Sequence, residues 1–255
     1  MINIMNNKQK FQILLNISIY ACILFISFSG FAMYFYPGGT MHNNPFNPNF
    51  DESLNLYSHS MNFFSDLGLY NSWSGEPNFL SNILFAYSLL FVSIGIISFY
   101  LAIHFLLKKD YNLILFSKIG IVIAIISATG FIMVGFTPSD RLLDYHMNAV
   151  NLAFRSFLIV MLVYTFLIFK SNYISNKLSL IYFILFCLVG YYVYILMAGP
   201  QLPAVSNSQE GFFIPSKSAL FFHVVSQKIV IYGLSFSILC QIFFLRKKEY
   251  IDIID

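Results

Sequence analysis

The sequence predicts an all-α polytopic membrane protein, a single bundle of six transmembrane helices with both termini cytoplasmic. Three observations predict it. Of 255 residues, 58% are hydrophobic and only 10% charged, where soluble domains carry about 25% charged residues. Mean hydropathy is +0.73. Six apolar runs are each long enough to cross a bilayer, which takes roughly 20 residues.

The first run, Phe11–Tyr36, follows Lys8 and Lys10 as a signal peptide would. Its apolar stretch exceeds the usual h-region of about 7–15 residues and no small-x-small cleavage site follows, so it is expected to span. The others are Phe79–Leu107, Leu113–Phe136, Tyr145–Phe169, Leu178–Met197 and Ala219–Phe244. If they alternate in direction, Lys8, Lys10, Lys108, Lys109, Lys118, Lys170, Lys177, Arg246, Lys247 and Lys248 fall on one side. The connection Pro37–Asn78 contains no Lys or Arg. The positive-inside rule then places both termini in the cytoplasm of a multi-pass cell-membrane protein. Pro37–Asn78, Thr137–Asp144 and Gly199–Ser218 face outward.

Residues 1–255 read as one integral membrane domain with two notable extracytoplasmic loops, 37–78 and 199–218. A connection as long as 37–78 usually has structure or function of its own. Its second half mixes apolar and polar residues at helical spacing, as an amphipathic segment at the bilayer surface does. The formal charge of +3 and the absence of a basic, aromatic-interleaved patch exclude nucleic acid as a partner. Cys22, Cys187 and Cys240 lie far apart in apolar runs and read as small core residues. Nothing in the sequence calls for a cofactor, and no metal-ligand spacing is present. The many Phe and Tyr are expected at lipid-facing or interfacial positions.

Polar residues inside the spans are few and patterned. Asp144, Asn148, Asn151 and Arg155 are spaced i, i+4, i+7 and i+11, on one helical stripe. At about 1.5 Å per residue Arg155 should lie roughly 15 Å deep, near the midplane. In "HVVSQK", Gln227 lies one turn after His223, and Lys228 reaches a similar depth on the sixth span. No span interior holds Asp or Glu. A buried charge must be paired or neutralised, and Arg155 cannot deprotonate. The expected partner is either a loop carboxylate (Asp66, Glu76, Asp140 or Asp144) or an anion, such as an anionic lipid or a small anion, held in an outward-facing cationic pocket.

The candidate ligand-binding residues are Arg155, Lys228, Asn148, Asn151, Gln227 and Ser65. Candidate acid–base groups, should there be catalysis, are Asp66, His146 and His223. Each has a bland counterpart. Arg155 and Asp66 could simply lock the bundle, and His146 and His223 could be satisfied helix-mouth histidines. His59 reads as a surface residue and His104 as a helix-end residue. Ser81 and Asn82 could be helix caps or pocket lining.

Several motifs lie in a suggestive order. "SDLG" at Ser65–Gly68 precedes a span opening "NFLSNILF". "VGFTPSD" at Val134–Asp140 closes a span, and "DYHMNAVNLAF" at Asp144–Phe154 opens the next. This order, over roughly Phe63 to Phe169, resembles the membrane family known as domain of unknown function 998. It is more distantly similar to the DRAM/Frag/Sfk group. The family pattern runs Ser-x-Leu-Gly, Gly-x-Phe-Pro-x-Asp and His-x-x-x-Ala. Ser65, Leu67 and Gly68 match the first part. Gly135, Pro138 and Asp140 match the second with Thr137 interposed, and Ala149 follows His146 one residue early. The resemblance implies a six-helix bundle with no established activity and, by analogy with its eukaryotic relatives, proximity to phospholipids.

Four function classes follow: an anion-binding membrane protein, a non-catalytic scaffold whose charges form an internal network, a membrane-embedded hydrolase, and a transporter. The hydrolase lacks a GxSxG elbow, an HExxH helix and a second histidine, since Gln227 occupies that place. The transporter lacks prolines within its spans and a polar lining toward the cytoplasm.

Overall fold

The computed structural model describes residues 6–53, 55–199 and 214–254. They form six long helices, α1 (Asn7–Tyr34), α2 (Phe79–Leu107), α3 (Ile114–Phe136), α4 (Leu143–Lys170), α5 (Asn176–Ala198) and α6 (Lys217–Leu245), followed by a short α7 (Lys248–Ile253). All six long helices are apolar and long enough to cross a membrane. Among the described residues there is no β-strand, only an isolated bridge between Asn71 and Pro77. Most of the predicted connection 199–218 lies outside the described residues.

Local chemistry sets the helix starts. Asn6 and Gln9 form a capping box at α1, and the hydroxyls of Ser175 and Ser216 cap α5 and α6. Each helix packs on its chain neighbours, and α6 returns to touch α1 lightly, so the bundle closes as a ring. Because lipid is as apolar as a leucine core, close helix approach depends on small residues and buried hydroxyls. Ser18 donates to the Gly95 carbonyl (3.2 Å), Ser93 to Ala128 (3.0 Å) and Ser127 to Ala153 (2.9 Å). A Cβ on Gly130 would lie 2.5 Å from the Ala153 nitrogen, so α3 and α4 meet backbone to backbone.

Tyrosines depart from the interfacial expectation: Tyr100, Tyr164, Tyr182 and Tyr192 are fully buried. Tyr164 lies between Tyr100 and Tyr182, with ring centroids 4.4 and 6.0 Å away. Of the cysteines, only Cys22 is buried; Cys187 is exposed.

The connections gather at two ends. At one end, Asp110 accepts from Ser171 (2.5 Å) and Asn172 (3.3 Å), the Tyr250 hydroxyl accepts from the Ser175 amide, and Arg246 bonds Asn16. This is the lysine-rich end. At the other end, segment 35–78 folds into a cap over the helix ends. His42 Nδ1 bonds the Pro215 carbonyl (2.9 Å), while Asp140 accepts from the amides of Tyr70 (2.9 Å) and Asn71 (3.0 Å).

Candidate functional site

The cap is built from short polar turns. Side-chain oxygens of Asn44, Asn47 and Asp51 each accept the backbone amide two residues on, the local geometry for which Asn and Asp are favoured in turns. Gly39 has φ of +77°, and a Cβ there would strike the backbone of Trp73 and Ser74. That close approach brings the first and last parts of the cap together.

Between them the chain dips into the bundle. Helical spacing in this segment yields only a 3₁₀ turn, Phe64–Gly68. It is not a surface helix: Phe64, Asp66, Leu67 and Gly68 are buried. A short turn leaves carbonyls unpaired, and the opening of α2 supplies their donors. Asn78 Nδ2 donates to the carbonyls of Leu67 and Leu69 (3.0 Å each), Ser81 to Leu67 (3.1 Å) and Asn82 to Gly68 (2.6 Å). Ser81 and Asn82 therefore hold the cap.

Beneath this turn lies the polar centre. Asn62, fully buried, is its hub. Its side chain donates to the Gly39 carbonyl (2.9 Å) and to Asp66 Oδ2 (3.1 Å) and accepts from the Ser58 amide (2.9 Å). Its carbonyl accepts from Lys228 Nζ (2.5 Å) and from the Tyr57 hydroxyl (3.3 Å). Asp66 Oδ2 also accepts from the Phe63 amide (2.9 Å). The Lys228 ammonium lies 4.9 Å from the centre of the Tyr57 ring. Lys228 and Asp66 attract each other across Asn62 without forming a direct ion pair.

Burial pushes the Asp66 carboxyl up to about 6, against hydrogen bonds from Asn62, Trp73 and Phe63 and the charge of Lys228. Partial burial, then the same charge, hold His59 below its ordinary value. Next to Lys228, Gln227 Oε1 accepts from the Phe64 amide (2.7 Å). Under the turn is a narrow cavity of about 40 Å³ walled by Phe25, Phe64, Phe131 and other apolar groups, with Ser65, Gln227 and Ser235 at its margin. It is room for only a few waters.

The predicted site residues divide into three groups. Asp66, Lys228, Gln227 and Ser65 come together at the cap. His146 is buried at the α3–α4 turn with Nδ1 2.7 Å from the Thr137 carbonyl. His223 is buried on α6, edge-on to Phe222.

The third group overturns an expectation. Asp144, Asn148 and Arg155 are exposed and Asn151 is half-buried, on the α4 face opposite the one packed in the bundle. The face that packs inward carries Ala149, Ala153 and Phe157, because their small or flat side chains fit against α3 and the cavity. Neither Arg155 nor Lys228 lines the cavity under the turn. Along α4, Arg155 lies twelve residues from Leu143 and fifteen from Lys170, near the middle of the helix. Phe154 packs on Tyr192 (4.8 Å between ring centres) and Leu158 on Gly190.

Asn62, Tyr57 and Trp73 escape a sequence reading. The i, i+4 spacing of Asn62 and Asp66 within "NFFSDLG" is the one local signal for them. Compared with known proteins, the chain matches no family model, no curated protein and no solved structure.

Proposed function

We propose that this chain is a non-catalytic membrane scaffold, with cytoplasmic termini, that presents a folded extracytoplasmic cap to partner proteins. The observation that supports it most is the Lys228–Asn62–Asp66 centre, in which groups suited to bind an anion or move a proton are engaged in fastening the cap to α6. An anion arriving at Lys228 would have to displace a loop carbonyl and compete with Asp66. Gln227 belongs to the same fastening through the Phe64 amide, and Ser65 lines the small cavity beside it. The cap contains Asp51, Glu52 and Glu76 and no Lys or Arg, so a complementary partner surface is basic or neutral.

Two measurements test this reading. Lys228→Met removes the cation and leaves Asp66 to take up a proton, which should lower cap stability by about 1–2 kcal/mol. In a double-mutant cycle with Asp66→Asn, the losses should fall short of additivity by about 1 kcal/mol. A ligand pocket predicts instead that Lys228→Met leaves the cap's melting unchanged. A photo-crosslinking residue at Leu56, 70% exposed on the cap, should yield a discrete protein adduct in the native membrane. Adducts with lipid alone would refute the scaffold.

A further inference from the structure

The α4 stripe poses a separate physical problem. Arg155 is exposed and, among the described residues, makes no hydrogen bond or ion pair. The same face continues toward the basic end as Ile159, Leu162 and Phe166, which are 49%, 53% and 52% exposed. Such a face looks into hydrocarbon, where a charged side chain is costly and turns toward the nearest polar layer.

Three observations select what meets it. The first is direction. Side chains of a helix tilt toward its N-terminus, which on α4 is the cap side, so the long Arg155 side chain, level with Tyr192 of α5, is directed toward the cap-side headgroup layer. On α5 near that level, Tyr191 and Tyr194 are 52% and 63% exposed, as tyrosines at a membrane interface are. The second is the donor set. Asn148 and Asn151 lie two turns and one turn above Arg155 on the stripe, supplying amide donors beside a planar guanidinium, although Asn151 Nδ2 bonds the Met147 carbonyl (2.9 Å) in this structure. Arginine grips phosphate oxygens in bidentate fashion.

The third is the lack of an alternative in the chain itself. No span interior holds a carboxylate, and a second copy related by a twofold axis along the membrane normal would set Arg155 against Arg155. Asp144, the stripe's own acid, lies eleven residues away, about 16 Å.

We infer that the outer face of α4, beside α5, binds the phosphate of an anionic phospholipid from the cap-side leaflet, with Arg155 gripping the phosphate and Asn151 and Asn148 donating to the headgroup. This site is independent of the cap centre and does not rest on the scaffold reading.

Native mass spectrometry of the full chain, with phosphatidylglycerol or phosphatidylcholine added to the micelles, tests it. Wild type should retain phosphatidylglycerol in preference to phosphatidylcholine. Arg155→Leu should lower that retention about tenfold, and Arg155→Lys should restore part of it, with Trp73 emission unchanged in both because the side chain is exposed on the outer face of α4. Equal retention in Arg155→Leu overturns the proposal. So does displacement of the lipid by millimolar inorganic phosphate, which would mark a free-anion site. So does a protein adduct formed from a crosslinker at Asn151, which would mark a partner helix.

Discussion

Acidification from pH 7 to pH 5 should tighten the cap, and the size of the effect follows from Asp66. Its folded-state value of about 6 lies above the ordinary 3.8. Between these values the folded protein binds the proton more strongly than the unfolded chain does. The resulting stability is fully present below about 3.8 and is lost as pH rises through about 6. Integrating between pH 7 and pH 5 gives a gain of about 1.3 kcal/mol on acidification. The assay is thermal unfolding followed by the emission of Trp73, the only tryptophan in the chain. It lies in the cap, with its amide bonded to the Tyr36 hydroxyl (3.2 Å). His59 has a folded value below its ordinary one and pushes the opposite way as pH falls. Comparison with Asp66→Asn cancels that contribution, and the variant should lack the 1.3 kcal/mol. Equal pH slopes in the two proteins would refute the burial of an ionisable carboxylate under the cap.

Two further substitutions probe the frame around this centre. Gly130→Ala should separate α3 from α4, because the added Cβ would lie 2.5 and 2.8 Å from the backbone of Ala153. Overpacking of this kind costs about 1–3 kcal/mol, and a melting temperature equal to wild type would contradict the close approach. Asp140→Ala removes the acceptor for two cap amides at a cost of about 1 kcal/mol. Hydrogen exchange at Tyr70 and Asn71 should accelerate, and unchanged protection there would show that the carboxylate does not hold them.

The spans were legible because length and apolarity are local properties. The observed helices match the six predicted runs to within a few residues, with α1 beginning four residues earlier, at its Asn6 cap. The unusual composition of 37–78 marked it as structured. Its mode of folding was not visible, since helical spacing in "MNFFSDLG" described a segment whose backbone is satisfied by Asn78, Ser81 and Asn82 from another element. The placement of Lys228 and Asp66 on either side of Asn62 depends on the same docking: residues 162 positions apart come near each other only once the turn at Phe64–Gly68 enters the bundle.

The α4 stripe separates the two sources of information most clearly. Sequence alone determined that Asp144, Asn148, Asn151 and Arg155 share one face, because helical periodicity is a property of the chain by itself. It could not determine the direction of that face. In water, apolar residues mark the inward side, but in a bilayer the lipid-facing and protein-facing sides are both apolar. Only the packing of α4 on α3 and α5, through Gly130, Ala153, Phe154 and Tyr192, turned the arginine away from the bundle.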